Sequence, residues 1–286
     1  MCDEETVKDN EAYLSRRQVT LAGSAAMIMA TLPRSANAMD VTETDVTITT
    51  PDGDADAYFV HPSSGSHPGI LIWPDILGLR PAFQQMGKRL AEAGYSVLVI
   101  NPYYREATSP VVSEGASFQD EETRNHVLPM ALALSAETVI TDAKAFVSFL
   151  DAQTAVDSAK QIGTTGYCMG GPFTMITAAT LPDRVGAGAS FHGGRLVLDT
   201  PDSPHLLVPQ MKADFLFAIA ENDDEKQPEA KSALRAAFDN AGLKAEIEVY
   251  EGALHGWCPP DSRVYNEAQA ERAWARMLVL FQGALA

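Results

Sequence analysis

Cysteines, basic side chains and long apolar runs are scarce in this chain of 286 residues. Only three residues are Cys, which excludes a disulfide-built scaffold. The 21 Lys and Arg are outnumbered by 38 Asp and Glu, so the net charge is −17. A chain this acidic repels phosphate backbones and anionic membrane surfaces, and we therefore expect no binding to nucleic acid. The sequence also lacks the Gly-rich motifs that bind dinucleotides or nucleotide phosphates.

Ligand spacings typical of metal sites are missing as well. No His, Cys and Asp residues stand at the intervals of a zinc motif, and His255 with Cys258 is a single unsupported pair. Cys168 lies far from Cys258 in sequence, so the two do not form a thioredoxin-like redox motif. We therefore predict no metal site.

The first 38 residues have the composition of an export signal. The twin arginine Arg16-Arg17 precedes an apolar stretch from Val19 to Leu32, and Ala36-Asn37-Ala38 supplies the small residues of a cleavage site. The apolar stretch is shorter than the roughly 20 residues that cross a bilayer as a helix. An amphipathic helix of the folded protein is the alternative, but Gly23 and the surrounding polar residues favour cleavage.

We interpret residues 1–38 as a twin-arginine signal peptide. This predicts that the twin-arginine export machinery is a partner and that the chain meets the membrane only in transit. The predicted location is the periplasm or the secreted fraction.

Residues 39–286 are predicted to form one α/β domain, because no linker interrupts them. Short apolar, β-branched runs alternate with helical periodicity, which predicts a mainly parallel central sheet flanked by helices. A long helical pattern is predicted to end near Asp151, and residues 101–122 are predicted to form a loop that serves as a lid or pocket wall. The predicted strands include Asp45–Thr50, Ala55–His61, Gly69–Trp73, Asp214–Ala220 and Ala245–Tyr250.

The main chemical motif is Gly166-Tyr167-Cys168-Met169-Gly170-Gly171. It has the G-x-nucleophile-x-G pattern of a strand-to-helix elbow, with Cys in place of Ser, and Pro172 suits the first turn of the following helix. At a helix N-terminus, backbone N–H groups and the helix dipole stabilise both a thiolate and a developing oxyanion. Taken alone, the motif is also compatible with a buried structural Cys in a Gly-rich turn.

Candidate partners follow in the order nucleophile, acid, histidine. Asp223 and Asp224 come after one predicted strand, and His255 comes after the next. The two carboxylates are adjacent, so spacing does not choose between them, and a solvated loop carboxylate is the alternative for either. His192 also follows a strand and is a candidate for lining the pocket, but its chain position does not suit the base.

Together the motifs resemble the dienelactone hydrolase family, the Cys-dependent branch of the α/β-hydrolase fold. The resemblance extends from about residue 45 to the C-terminus. Its motifs are Trp73-Pro74-Asp75-Ile76-Leu77-Gly78, Asn101-Pro102-Tyr103-Tyr104-Arg105, Gly166-Tyr167-Cys168-Met169-Gly170-Gly171, Glu221-Asn222-Asp223 and His255-Gly256-Trp257.

This resemblance implies hydrolysis of an enol-lactone or related activated ester without a cofactor. It implies that Cys168 is the nucleophile, that His255 is the base, and that Asp223 rather than Asp224 is the orienting acid. Asp75 occupies the position where characterised members carry a Glu that contacts the resting thiol. Because Asp is one methylene shorter, that contact is expected to be weakened or rebuilt.

The resemblance also implies residues that bind the substrate. It assigns substrate contacts to Arg105, Tyr103 and Trp257, of which Arg105 matches the first of two arginines that hold a substrate carboxylate. The second position is Pro259 in this sequence, and Arg263 replaces it only if the loop bends back. A single Arg is able to hold a carboxylate by two hydrogen bonds.

The predicted mechanism is acyl transfer through a thioester on Cys168. The oxyanion is expected between the backbone N–H groups of Ile76 and Met169. Two other functions are compatible with the sequence. One is a catalytically weak periplasmic module that binds small carbonyl compounds, and the other is a redox sensor in which Cys168 pairs with Cys258.

Overall fold

The computed structural model describes residues 7–12, 32 and 38–286. Residues 7–12 are helical, and the rest of the described chain forms a sheet with helices on both faces. The strands are β1 (Val41–Thr50), β2 (Gly53–Pro62), β3 (Gly69–Trp73), β4 (Ser96–Ile100), β5 (Ile162–Tyr167), β6 (Val185–Phe191), β7 (Asp214–Ala220) and β8 (Ala245–Tyr250). The helices are α1 (Pro81–Glu92), α2 (Glu121–Ala133), α3 (Ala136–Asp151), α4 (Gly170–Thr180), α5 (Glu221–Lys226), α6 (Ala230–Ala241) and α7 (Glu267–Ala284), with a 3-10 helix at Pro204–Gln210.

The eight strands form one sheet in the order β1-β2-β4-β3-β5-β6-β7-β8. The pairings β1 to β2 and β2 to β4 are antiparallel, and all the others are parallel. This confirms the predicted α/β fold with its mainly parallel sheet. Strands β3, β4, β5 and β6 are buried along their whole length, as expected for parallel strands covered by helices on both faces.

Neighbouring side chains of β3 serve the two opposite apolar clusters of the domain. Leu71 and Trp73 belong to the cluster that includes Phe146, whereas Ile70 and Ile72 belong to the one that includes Phe281. Because side chains alternate across a strand, a continuous apolar run is what a strand between two helical layers requires. The predicted strands Gly69–Trp73, Asp214–Ala220 and Ala245–Tyr250 have the predicted bounds, whereas β1 and β2 begin earlier than predicted.

The long helical pattern before Asp151 is divided into two helices. Helix α2 ends at Ala133, and α3 begins at Ala136 after a reciprocal cap at Ser135. The Ser135 hydroxyl accepts from the backbone N–H of Thr138, whose own hydroxyl accepts from the backbone N–H of Ser135. The expectation of one continuous helix is therefore wrong, because this local cap starts a new helix.

Most of the predicted signal peptide, including Arg16 and Arg17, lies outside the described residues, and the leader and its export stay predictions. The described residues near it pack on the domain. Leu32 packs against an apolar cluster of the domain, and Asp9 forms an ion pair of 2.9 Å with Lys226. Across residues 7–12, 32 and 38–286, no helix is both long and apolar enough to cross a membrane.

The space around two glycines shows how closely the first turn of α4 is packed compared with the end of α7. A Cβ on Gly171 would lie 2.5 Å from the Cα of Gly193, in the loop after β6, whereas a Cβ on Gly283, near the end of α7, would meet nothing within 4 Å. The first turn of α4 is thus pressed against a neighbouring backbone, and the end of α7 is open.

We therefore expect Gly171→Ala to lower the free energy of unfolding by at least about 2 kcal/mol, since the backbone must shift to admit a methyl group. Gly283→Ala is the matched control and is expected to change it by less than about 1 kcal/mol. Urea unfolding followed by circular dichroism measures both. Equal shifts of the two midpoints would contradict the packing described here.

Candidate active site

Cys168 occupies a sharp turn between β5 and α4. Its φ angle is 52°, in the left-handed region that residues other than Gly rarely adopt. A Cβ on Gly166 would lie 2.0 Å from the carbonyl oxygen of Gly170, and a Cβ on Gly170 would lie 2.3 Å from that of Trp73. Both glycines are therefore required by close backbone approach, and the predicted elbow is present as a structure. Its tightness presses the start of α4 against the end of β3.

Asp223 and His255 form a close pair at the carboxyl ends of β7 and β8. The Nδ1 atom of His255 lies 2.8 Å and 3.0 Å from the two carboxylate oxygens of Asp223. The backbone N–H of His255 donates to Asn222 Oδ1 at 2.8 Å. Asp224 instead binds the ammonium group of Lys231. The geometry thus pairs His255 with Asp223 and directs Asp224 elsewhere.

The charge state of His255 depends on its two neighbours. Burial lowers the pKa of His255, but the negative charges of Asp223 and of the Cys168 sulfur outweigh it and raise the pKa to about 10. The imidazolium form therefore persists through neutral pH and is lost only as the pH rises through about 10. A protonated His255 in turn stabilises a negative charge on the Cys168 sulfur.

The backbone amides of Ile76 and Met169 are the predicted oxyanion donors, and Ile76 lines the same cavity as Cys168. Ile76 follows β3, Met169 follows Cys168, and within the described part of the chain no backbone carbonyl is hydrogen-bonded to either amide. Tyr103 donates from its hydroxyl to the carbonyl oxygen of Ile76 at 2.7 Å, which fixes the loop after β3. Tyr103 itself is buried and supports this loop; it does not line the cavity that contains Cys168.

Arg80 is a buried residue that the sequence analysis missed. Its guanidinium binds Asp75 at 2.7 Å and 3.0 Å, and Asp261 at 2.6 Å and 3.0 Å. The remaining donor reaches the carbonyl oxygen of Gly78 at 3.2 Å, so all five N–H groups are used. This network joins the loop after β3 to the loop after β8 and forms one wall of the cavity.

Asp75 lines the cavity with Cys168, but its carboxylate is held by other groups. One oxygen accepts from the backbone N–H of Leu77 at 2.9 Å, and both oxygens bind Arg80. Burial raises the pKa of Asp75, while the charge and hydrogen bonds of Arg80 act against that rise. The shorter side chain is therefore tied to the cavity wall by Arg80.

The structure does not bring Arg105 to this cavity. Its guanidinium binds Asp142, which is almost fully buried, and Asp52 in the turn after β1. It also lies over the ring of Tyr104, with 4.5 Å from the guanidinium carbon to the ring centroid. These partners place Arg105 in a structural network away from Cys168, and its predicted role in substrate binding remains a prediction.

Trp257 lies behind the cavity. Its ring is fully buried, stacks on Tyr250 at 5.3 Å and meets the edge of the His192 ring at 5.3 Å. His192 does line the cavity, at the carboxyl end of β6, and its ring meets that of His255 at 5.1 Å. The structure therefore places His192, which the sequence analysis set aside as a base, between Trp257 and the proposed catalytic pair.

Three segments complete the cavity. Residues 116–119 form one wall, so part of the loop predicted over 101–122 has the expected place. Arg263, after β8, also lines the cavity and donates to Asp120 at 2.7 Å. Val7 and Asn10 of the helical segment 7–12 contribute to the rim, and the Asn10 side chain donates to the carbonyl oxygen of His255 at 3.3 Å.

The two described cysteines lie in different places. Cys168 lines the cavity with His255, whereas Cys258 is buried in a second cavity beside Tyr167 and Trp274. Burial raises the pKa of the Cys258 thiol well above its usual value. Neither takes part in a disulfide with another described residue, and no cluster of possible metal ligands is found in residues 7–12, 32 and 38–286.

Sequence reasoning missed Arg80, because one of its two carboxylate partners is distant in the chain. Arg80 meets Asp261 across the cavity, and nothing in a linear pattern pairs them. A basic side chain between the apolar Leu79 and the helix-starting Pro81 was the available signal for Arg80, because a charge in such a run requires a buried partner. His192 was a candidate for lining the pocket because it follows a predicted strand, and it does line the cavity.

Comparison with known proteins identifies a family. The family model described as dienelactone hydrolase matches residues 55–285. A protein of Salmonella typhi is 29% identical over 234 residues, which are 80% of this chain and 82% of that protein. The carboxymethylenebutenolidase of Rhodococcus opacus is 26% identical over 231 residues, which are 78% of this chain and 85% of that protein.

Solved structures share the fold at lower identity. A crystal structure from Klebsiella pneumoniae superposes with a TM-score of 0.72 at 22% identity, over 85% of this chain and 99% of that one. P91, a dienelactone hydrolase-like promiscuous phosphotriesterase from metagenomic libraries, superposes with a TM-score of 0.70 at 21% identity, over 86% of this chain and 99% of that one.

The contacts of the two adjacent carboxylates lead to a direct test. Asp223→Asn removes a charge that raises the pKa of His255, so the imidazolium is lost at a lower pH and the Cys168 thiolate forms at a higher pH. Cys168 is alkylated with iodoacetamide at a series of pH values, and the alkylated fraction is measured from the mass of its peptide. The midpoint of this profile should lie at a higher pH in Asp223→Asn than in the wild type. Ester hydrolysis should fall by about 100- to 10,000-fold.

Asp224→Asn is the matched control, since Asp224 lies in the same short helix as Asp223 but pairs with Lys231 of α6. It should leave the alkylation profile in place. A similar shift in both variants would contradict the assignment of Asp223 as the partner of His255.

Proposed function

This chain belongs to the dienelactone hydrolase family, and on that premise we propose that it hydrolyses enol-lactones or related activated esters through a Cys168, His255 and Asp223 triad. The observation that carries the proposal is the 2.8 Å contact between His255 Nδ1 and Asp223 in a cavity that His255 shares with the elbow residue Cys168. Family membership supports a lactone or ester hydrolase of the carboxymethylenebutenolidase kind. The triad and its thioester intermediate are proposed in addition to this general activity.

In the first half of the reaction, the Cys168 thiolate attacks the carbonyl carbon of the substrate. The carbonyl oxygen becomes an oxyanion, which accepts hydrogen bonds from the backbone amides of Ile76 and Met169. The tetrahedral intermediate then loses the enolate as leaving group, and the His255 imidazolium protonates it. The product of this half is a thioester on Cys168 with a neutral His255.

In the second half, water hydrolyses the thioester. His255 takes a proton from the water, the new C–O bond forms, and the C–S bond breaks with its electron pair on the sulfur. This restores the thiolate and imidazolium pair that the raised pKa of His255 favours. Asp223 holds the ring in one orientation throughout, as the acid of a triad does.

The leaving group decides which substrates react. A thiolate leaves more readily than an ordinary alkoxide, so an unactivated ester is expected to return from the tetrahedral intermediate to the starting material. An enolate is a better leaving group and departs forward. The chemistry of Cys168 therefore selects activated esters and enol-lactones over ordinary esters and amides.

Arg263 is the group that we assign to a carboxylate on the substrate. It lines the cavity, and its one hydrogen bond within the described chain is to Asp120. Arg80 also lines the cavity, but its five donors are all taken by Asp75, Asp261 and Gly78. Since Arg105 lies in another network, Arg263 has the more suitable position for binding an anion.

The two other functions considered from the sequence gain no support. A binding module does not require the close His255 and Asp223 pair, and the family match is to hydrolases. A redox sensor requires Cys168 to meet Cys258, but these residues line different cavities.

The nucleophile is tested by two cysteine variants. Cys168→Ala should lower the hydrolysis of p-nitrophenyl acetate by at least about 1,000-fold, since the variant has no atom that forms the thioester. Cys258→Ala is the matched control, because its buried thiol lies outside the cavity, and it should keep activity within a factor of about two. Intact mass after rapid quenching should show an acetyl adduct on the wild-type chain and none on Cys168→Ala. Full activity in Cys168→Ala would overturn the proposal.

The anion site is tested with an enol-lactone that bears a carboxylate and with its methyl ester. Arg263→Ala should raise the KM for the acid by about tenfold and leave that for the methyl ester near the wild-type value, because a charged hydrogen bond is lost only with the acid. Arg105→Ala serves as the comparison and should affect both substrates alike. If Arg105→Ala raised the KM for the acid alone and Arg263→Ala did not, Arg105 would be the residue that binds the carboxylate.

A further inference from the structure

His192 is a fully buried residue with an unusual position in the cavity. It directly follows β6, its backbone N–H donates to the carbonyl oxygen of Ala218 at 2.8 Å, and its φ angle of 39° lies in the left-handed region. The next residue, Gly193, has no room for a side chain, since a Cβ there would lie 2.3 Å from Ser190 Oγ. The backbone therefore holds the His192 ring in one place, in the same cavity as Cys168 and His255.

Neither ring nitrogen of His192 has a hydrogen-bond partner among the described residues. Buried polar groups are nearly always hydrogen-bonded, because a buried donor or acceptor without a partner destabilises the fold. An apolar ring of similar shape would fill the same space beside His255 and Trp257 without this penalty. The two nitrogens thus point to a hydrogen-bonding ligand in the cavity.

The ring is neutral under working conditions. Burial and the positive charge of His255 together lower the pKa of His192 to about 3, although the Cys168 charge acts in the opposite direction. A neutral imidazole offers one N–H donor and one lone-pair acceptor. The neutral His192 ring is therefore suited to bind a neutral molecule that both donates and accepts hydrogen bonds, such as water. It is not suited to act as a second general acid.

We propose that His192 is a further catalytic residue, which hydrogen-bonds the water that hydrolyses the thioester on Cys168. The inference rests on the proposed function, because it requires an acyl group on Cys168. His192 and His255 line the same cavity and their rings meet edge-on at 5.1 Å between centroids, and the proposal places one water in contact with both. A buried water typically makes about three hydrogen bonds, and His192 with His255 supplies partners for it.

The proton balance leaves His192 unchanged. Once Cys168 carries the acyl group, the neutral His255 accepts one proton of the water, and the water oxygen bonds to the thioester carbonyl carbon. The second hydrogen of the water is held by the lone pair of His192, which directs the oxygen lone pair at the carbonyl. The C–S bond breaks with its electrons on sulfur, and His192 ends the step with the hydrogen count with which it began.

This assignment predicts that His192 acts on deacylation and not on acylation. His192→Phe keeps a ring and removes both nitrogens, whereas His192→Asn keeps a donor and an acceptor on a residue that tolerates positive φ. Arg195→Phe is a control for ring placement, because Arg195 lies in the same loop with a φ angle of 60° but is exposed. Stopped-flow hydrolysis of p-nitrophenyl acetate separates the first release of nitrophenol from steady turnover, and intact mass measures the acetyl adduct.

In His192→Phe we expect the first release to stay within about threefold of wild type and the steady rate to fall by about 10- to 100-fold, with the acetyl adduct accumulating on Cys168. His192→Asn should regain part of the steady rate. Hydroxylamine is a stronger nucleophile than water and needs less positioning by a hydrogen bond to attack the thioester. It should therefore restore turnover in His192→Phe. Arg195→Phe should behave as wild type in both phases.

Three results would overturn the inference. One is an equal fall of the first release and the steady rate in His192→Phe, and another is a steady rate unchanged from wild type. The third is adduct accumulation in Arg195→Phe, which would assign the effect to the loop. If one of these results is found and the wild-type chain still forms the acetyl adduct on Cys168, only the inference about His192 fails and the proposed triad is retained. If hydrolysis proceeds with no adduct on any variant, both the proposed triad and the role of His192 are wrong.

Discussion

The whole site depends on the close contact between the elbow and the end of β3. Gly170 approaches the carbonyl oxygen of Trp73 so closely that no Cβ fits between them, and Gly166 is pressed against Gly170 in the same way. This contact forces Cys168 into a left-handed conformation, directs its side chain into the cavity, and brings the amide of Met169 toward the loop that carries Ile76. The same contact therefore sets the position of Cys168, the proposed nucleophile, and that of the Met169 amide, a proposed oxyanion donor.

The charged groups on the two sides of the cavity have different arrangements. On one side, Asp223 and the Cys168 sulfur together favour a protonated His255. On the other, Arg80 is balanced by Asp75 and Asp261, with every donor satisfied, so it stiffens the wall and has no hydrogen left for a ligand. A buried Arg with two carboxylates is a fixed part of the structure, because removing one partner would leave a charge without compensation.

The sheet and the order of the motifs were predictable from the sequence, because both arise from local patterns. A strand buried on both faces has to be a continuous apolar run, as in Gly69–Trp73, and a strand-to-helix elbow needs glycines on both sides of Cys168. The second start at Ser135 was missed, although its cap is also local, because the helical pattern continues past it. Local rules therefore fixed the elements better than the boundaries between them.

The side-chain partners could not be predicted in the same way, because they depend on how the loops fold back. Arg105 stands within a family-like motif, yet its guanidinium turns toward Asp52 and Asp142. Arg263 was expected to replace the second arginine only if the loop after β8 bends back, and its side chain lines the cavity. The role of His192 was not visible either, since only the packed structure shows that its nitrogens lack partners.

Val7 and Asn10 contribute to the rim of the cavity, yet both lie within residues 1–38, which we interpret as a cleaved signal peptide. The family model begins at residue 55, so neither residue belongs to the matched region. Cleavage would remove both residues from the rim, together with the hydrogen bond from Asn10 to the carbonyl oxygen of His255. The uncleaved and the cleaved chain therefore present different entrances to the same cavity, and a substrate preference measured on one form does not describe the other.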